Sequence, residues 1–337
     1  MRDILPDIER WRAEDRPIAI ATVVETWGSA PRTAGGKMAV SADGKISGSV
    51  SGGCVENAVV EAAQKTLASR VPQLLHFGVS DDTAWSVGLA CGGTIKVFVE
   101  VLAPEIFEPV REALLQERPA AVATVIRGPG TLLGRKLALF ADGRTVGAID
   151  EEALTAARGA LAEGASRRVS LGDTELFIDI LLPSPRLVIV GGVHVAVPLV
   201  SLAKTLGFRT IVVDPRESFG NAKRFPHVDE IVSDWPDAAL ARLGVNSSTA
   251  IAVLTHDPKL DDPALTAALR SPAFYVGALG SRRTHEKRRG RLLAAGLTEA
   301  ELSRLHAPIG LPLGGRSPEE IALAILAQVV ALRNQRA

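Results

Sequence analysis

Leu187-Val188-Ile189-Val190-Gly191-Gly192-Val193-His194-Val195-Ala196 runs from an apolar stretch through a pair of glycines into a helical pattern. Strand, glycine turn and helix start, in that order, form the first βα unit of a dinucleotide-binding sheet. Residues 210–213, 230–232, 250–254 and 274–276 are further short apolar runs, with helical periodicity between most of them. That rhythm predicts βαβ units on a parallel sheet. Asp214 follows the second run, where an acid can bond a ribose hydroxyl, so Gly191, Gly192 and Asp214 are candidate NAD(P) contacts. Arg216 leaves room for a 2′-phosphate. Val193 and Ala196 stand where the second and third glycines of the fingerprint belong, and a side chain at 193 would meet the pyrophosphate. Dinucleotide binding therefore stays open.

Upstream, Leu181-Leu182-Pro183-Ser184-Pro185 breaks any continuing element. Two domains are expected, 1–183 and 184–337. The first is β-rich and compares with itself. Residues 18–24 (IAIATVV) match 120–126 (AAVATVI), and 37–45 (KMAVSADGK) match 136–144 (KLALFADGR). In each copy an Asp-Gly turn joins two strands, a helix follows (55–67 and 151–161), and a last strand closes the copy. The fold class expected is α/β: an N-terminal α+β domain with a weak internal duplication, then a Rossmann-like parallel-sheet domain.

Lys and Arg together number 38, as do Asp and Glu, so no net positive field exists to hold nucleic acid or an acidic membrane surface. No run approaches the ~18 apolar residues of a membrane span, and the first residues lead into no signal stretch. A cytoplasmic protein is expected, in which Cys54 and Cys91 are free thiols or ligands.

Each cysteine stands beside a pair of glycines, and neither cysteine has a counterpart in the second copy. Ser51-Gly52-Gly53-Cys54 precedes the first helix where the second copy has only Asp150, and Cys91-Gly92-Gly93 precedes the last strand where it has Leu171-Gly172. Residues that a similar scaffold does without are candidates for function. At the start of a helix, Cys54 is expected as thiolate, with the Gly52-Gly53 amides receiving an anion or a pterin. Two thiolates suit a soft metal or a sulfur-bearing ligand, while structural zinc lacks its short-spaced pairs. The other reading is that both cysteines are small buried hydrophobes. Arg32 and Lys37, in and beside a third glycine-rich loop, are candidates for phosphate or a pterin carbonyl.

Polar groups also gather at predicted strand ends. His256 and Asp257 end one strand; Gly280, Ser281 and Arg282 end the next, with Ser281 as the N-cap of a helix that favours an anion. Ser317-Pro318-Glu319-Glu320 is a capping box.

Taken together, Ser47-Gly48-Ser49-Val50-Ser51-Gly52-Gly53-Cys54-Val55-Glu56, Gly88-Leu89-Ala90-Cys91-Gly92-Gly93, the run from Leu254 to Asp262 and the run from Tyr275 to His285 resemble the XdhC/CoxI family. The resemblance spans nearly the whole chain. It implies a protein that binds molybdenum cofactor (molybdopterin), protects it while a cysteine desulfurase adds the terminal sulfido ligand, and passes it to a xanthine-dehydrogenase-type molybdenum hydroxylase apoenzyme. The family's cofactor-associated cysteine motifs fall on Cys54 and Cys91, which imply contact with molybdenum or its sulfur. Its Gly-Gly-Gly-His turn falls on Gly191, Gly192, Val193 and His194, with Val193 departing from the pattern. A chaperone acting as a homodimer is expected. The competing readings are an NAD(P)-dependent oxidoreductase of unknown substrate and a thiol enzyme with Cys54 as nucleophile, which would need a nearby histidine.

Overall fold

The computed structural model describes residues 1–28, 32–78 and 93–334. They form two compact units, Met1–Pro183 and Ser184–Ala337.

The first unit repeats one plan twice. Helix α1 (Leu5–Ala13), strands β1 (Ile18–Trp27), β2 (Lys37–Ser41) and β3 (Ile46–Gly48), helix α2 (Glu56–Ser69), and strands β4 (Gln73–Phe77) and β5 (Thr94–Val101) make the first half. Helix α3 (Pro104–Leu115), strands β6 (Ala120–Arg127), β7 (Lys136–Phe140) and β8 (Thr145–Gly147), helix α4 (Glu151–Glu163), and strands β9 (Arg167–Leu171) and β10 (Thr174–Leu181) make the second. The sheets are ordered β3-β2-β1-β5-β4 and β8-β7-β6-β10-β9, one order in two copies. The duplication seen in the sequence is thus a duplication of fold. It also takes in α1 and α3, whose sequences show no similarity strong enough to have revealed them.

Period-two patterning explains the layers. On β1, Ala19, Ala21 and Val23 pack under α2; on β6, Ala121 and Ala123 do the same under α4. Alanine at these positions lets the helix sit close to its sheet. The opposite faces meet, with Val24 and Phe98 of the first half against Ile126 and Phe177 of the second. With a helix on one side and a sheet on the other, β1 is buried along most of its length and lacks the polar alternation of a half-exposed strand.

Between the sheets lie two reciprocal ion pairs. Lys37 of the first half reaches Asp179 of the second at 2.9 Å, and Lys136 of the second reaches Glu100 of the first at 2.6 Å. Each ammonium also donates to a threonine of its own half, Lys37 to Thr22 at 3.0 Å and Lys136 to Thr124 at 2.7 Å. The pairs border a cavity of about 60 Å³. Lys37, expected at the sequence level to receive phosphate, is only 5% exposed and neutralised within the fold.

The second unit comprises β11 (Arg186–Val190), α5 (Ala196–Thr205), β12 (Arg209–Val213), β13 (Glu230–Val232), α6 (Pro236–Leu243), β14 (Thr249–Val253), α7 (Pro258–Arg270), β15 (Tyr275–Ala278), α8 (Arg282–Ala294), α9 (Glu299–Leu302), β16 (Leu305–His306) and α10 (Pro318–Asn334). The sheet is ordered β13-β12-β11-β14-β15-β16, with every pair parallel. Ser317 and Glu320 exchange backbone bonds as the capping box predicts. Among the described residues no helix is long and apolar enough to cross a membrane.

Candidate functional site

Residues 49–55 join β3 to α2 and carry Cys54. The loop closes on one carboxylate. Glu56, in the first turn of α2, accepts from the amides of Val50, Ser51, Gly52, Gly53 and Val55 at 2.9–3.2 Å. It also accepts from the hydroxyls of Ser49 and Ser51, each at 2.6 Å. Ser51 Oγ in turn accepts from the amides of Cys54 and Val55. Positive φ at Gly52 (83°) and Gly53 (121°) aims successive amides at the same point. Burial raises the Glu56 carboxyl, but the hydroxyl and amide donors outweigh it and hold it down to about 2.

This arrangement corrects one expectation. The Gly52 and Gly53 amides form an anion nest, and its anion is the chain's own Glu56. A tethered carboxylate in the first helical turn meets the dipole and the free amides without the entropy loss of binding a separate ion. What the loop offers a guest is therefore sulfur and an open glycine face. Cys54 is a free thiol, half-buried, and packs beside the core that includes Val59, Leu75 and Phe77. At Gly53 a Cβ would meet nothing within 4 Å. Cys91 and Gly92 lie outside the described residues. Gly93 is buried just before β5, and Arg32 is exposed. Among the described residues no group of three or more His, Cys, Asp or Glu is placed to hold a metal ion.

In the second unit the glycine turn after β11 is packed by the chain itself. A Cβ at Gly191 (φ 103°) would lie 2.3 Å from Thr255 Cγ2, and one at Gly192 would lie 2.4 Å from the Phe219 carbonyl oxygen. Asp214, fully buried, accepts from Gly192 N at 2.8 Å on one oxygen and Arg216 N at 3.0 Å on the other. Arg216 adds a bidentate pair through Nε and Nη2 and lies over the Phe219 ring, 4.1 Å from its centroid. Burial pushes the Asp214 carboxyl up, but the bonds from Arg216 and Gly192 prevail and hold it below the usual aspartate range. Each carboxylate oxygen already accepts two hydrogen bonds, so as folded Asp214 has no vacant lone pair for a ribose hydroxyl. Val193 is half-buried against the core, and His194 is exposed.

At the ends of β14 and β15, Asp257 caps α7 by accepting from Lys259 N at 3.0 Å. Ser281 caps α8 by accepting from Thr284 N at 3.2 Å. Gly280 (φ 146°) makes that turn, since a Cβ there would press on Thr284 at 3.2 Å. Beneath them runs a buried chain of polar groups. Thr255 donates to Asp261; Arg288 donates to Asp261 at 2.7 Å and to the Leu279 carbonyl at 3.1 Å; and His285 Nδ1 lies 2.9 Å from Arg288 Nη1. Because His285 Nε2 faces the Gly280 carbonyl at 3.1 Å, Nε2 carries the proton and Nδ1 accepts from Arg288. Burial, then the Arg288 charge, lowers the His285 pKa, which fits that neutral tautomer.

The profile of the XdhC and CoxI family matches residues 11–78, and that of the XdhC Rossmann domain matches residues 187–329. The chain is 30% identical over 335 residues to a protein of Bacillus subtilis described as a probable xanthine dehydrogenase subunit, covering 96% of this chain and 95% of that one. The chain belongs to the XdhC/CoxI family. A molybdenum cofactor insertion chaperone of Escherichia coli, PaoD, is 28% identical over 325 residues, 93% of this chain and 83% of its own. A crystal structure of a xanthine dehydrogenase from Bacillus halodurans superposes with a TM-score of 0.78 at 26% identity, over 99% of this chain and 96% of that one.

In this XdhC/CoxI chain the fold of the second unit brings His256, Gly280 and Ser281 to neighbouring strand ends, and that of the first gathers Gly52, Gly53 and Cys54 in the loop before α2. Sequence reasoning missed Glu56, Asp261 and Arg288. For Glu56 the signal was present, as an acid in the first turn of a helix whose N-cap, Val55, has no capping side chain. For Arg288 there was none, because it sits in Arg282-Arg283-Thr284-His285-Glu286-Lys287-Arg288-Arg289, where no apolar stripe marks the inward face.

Proposed function

We propose that this chain is an accessory protein that takes molybdenum cofactor as cargo, shelters it while a cysteine desulfurase supplies the terminal sulfido ligand, and delivers it to a molybdenum hydroxylase apoenzyme of the xanthine dehydrogenase type. A homodimer is the acting form. The names of the relatives support the general reading, one belonging to xanthine dehydrogenase and another to a cofactor insertion chaperone. The observation that carries it to a residue is the Cys54 loop. That loop has no counterpart in the second half of its own unit, and it is held in shape by a dedicated carboxylate.

The donor set fits the cargo. A thiol is a soft ligand suited to molybdenum or its sulfur, and the open side of Gly53 gives a pterin room to approach. Glu56 keeps the loop fixed without touching the guest, and Gly52, Gly53 and Cys54 supply the contact. Cys91 and Gly92 are proposed as partners in the same task. Bound cofactor would bring its own redox chemistry, which the chaperone holds in reserve for the client.

Apo-protein mixed with molybdenum cofactor should retain it after desalting, and Cys54→Ala should retain markedly less. Equal retention by the two proteins removes Cys54 from the mechanism. An NAD(P)-dependent oxidoreductase has no comparable support, since Asp214 is engaged by Gly192 and Arg216 and both turn glycines are packed against the chain.

A further inference from the structure

A cleft of about 280 Å³ opens at the C-terminal ends of β14 and β15, lined by His256, Arg283, Thr284, Lys287, Arg288 and Arg291 among others. Open parallel sheets bind ligands at such strand ends. The charges there do not cancel. Arg288 is paired with Asp261 at 2.7 Å and Arg291 with Asp262 at 2.6 Å. Arg283 and Lys287 have no acidic partner among the described residues, which leaves two positive charges facing the cleft.

A second observation points to a ligand. Arg288 is 1% exposed, and its Nε has no hydrogen-bond partner, although Nη1 and Nη2 are engaged by His285, Asp261 and the Leu279 carbonyl. Native folds rarely leave a buried N–H without an acceptor. Nε itself is closed off from the cleft, so what Arg288 lends the lining is positive charge, which favours a guest carrying negative charge and several acceptor oxygens. The positive end of α8, a helix of 13 residues, adds to the same preference.

We propose that this cleft binds a phosphoryl group, carried by a small phosphate monoester or as free phosphate, with Arg283, Lys287 and Arg288 as its cationic contacts and Thr284 and His256 as polar ones. The volume lies just below the ~300–1,000 Å³ of sites that enclose whole drug-sized ligands, so the cleft takes the phosphate end of a ligand with little more. A nucleic-acid backbone fits less well, because the chain has no net positive charge to draw one in. The inference does not depend on what Cys54 contacts.

Isothermal titration of the full chain with inorganic phosphate, with ribose 5-phosphate and with a short single-stranded RNA tests it. Wild type should bind phosphate or the ester, and Arg283→Ala/Lys287→Ala, both at exposed positions, should bind about tenfold or more weakly. Arg289→Ala, on the same helix but away from the cleft lining, should bind as wild type does. Tighter binding of the ester than of phosphate identifies an ester as the guest, and equal binding identifies the free ion. Unchanged affinity in the double variant, equal loss in Arg289→Ala, absence of binding to both phosphates, or tighter binding of RNA than of either overturns the proposal.

Discussion

The two halves of the N-terminal unit share a strand order, a pair of interior lysines and a pair of interior acids, yet they begin their long helices differently. In the second half, Asp150 stands directly before α4 and accepts from Ala153 N at 2.7 Å, an ordinary N-cap. In the first half the link is four residues longer, 49–55 against 148–150, and the helix is closed by Glu56 reaching back to the amides of that longer loop. A helix start needs only one capping side chain. The extra residues and the carboxylate that orders them serve something other than the helix, and what they present is Cys54. A second insertion, residues 78–93, replaces the turn at Gly172 and Asp173, and Cys91, most of that segment with it, lies outside the described residues.

Substitutions at equivalent positions sharpen this contrast. Lys37→Ala should have the largest effect, about 3–5 kcal/mol in urea unfolding, because it strands Asp179 as a buried charge. Lys37→Met combined with Asp179→Leu should recover most of the loss. If Lys37→Ala proves neutral, the two sheets are not held in register by reciprocal pairs. Gly48→Ala and Gly147→Ala come next. Each has positive φ, and in each a Cβ would lie 2.4 Å from a backbone oxygen, Lys37 O in one half and Lys136 O in the other. Matched losses of at least about 1–3 kcal/mol are expected, and a large mismatch would break the equivalence of the hairpins.

Glu56→Ala should cost about 2 kcal/mol by leaving loop donors unsatisfied. Hydrogen exchange should rise at Gly52 and Gly53 while the Gly147–Asp150 segment stays protected. The Glu56 pKa is depressed from 4.5 to about 2. Its contribution is therefore complete above pH 4.5 and fades as pH falls toward about 2, and Glu56→Gln should lose that portion of the acid dependence. A pH profile identical to wild type would show that Glu56 does not hold the loop. The smallest effect belongs to Asp150→Ala, about 1 kcal/mol, with no change in cofactor retention.

Much of this was legible in the chain. The repeat of Lys37-Met38-Ala39-Val40 as Lys136-Leu137-Ala138-Leu139 marked equivalent strands, and the glycine turn at 191 with short apolar runs after it marked a parallel sheet. Strand β16, two residues long, carried too little pattern to be seen. The matching of α1 with α3 was hidden because a helix packed on one face needs only some apolar residue at each contact, so Ile4, Leu5 and Ile8 serve beside one hairpin as Ile106, Val110 and Leu114 serve beside the other.

Local pattern alone determined which segments extend, which coil and where the backbone must turn through glycine, since those follow from periodicity and from the room a missing Cβ leaves. Which charged groups face inward was decided only by the folded chain. Lys37 looked like a phosphate ligand and is tied to Asp179, Gly52 and Gly53 looked ready for a foreign anion and hold Glu56, and Arg288, unmarked within a run of charged residues, is buried against Asp261. A charge declares its role through the partner it meets, and in each of these cases the sequence names the charge without saying what will stand opposite it.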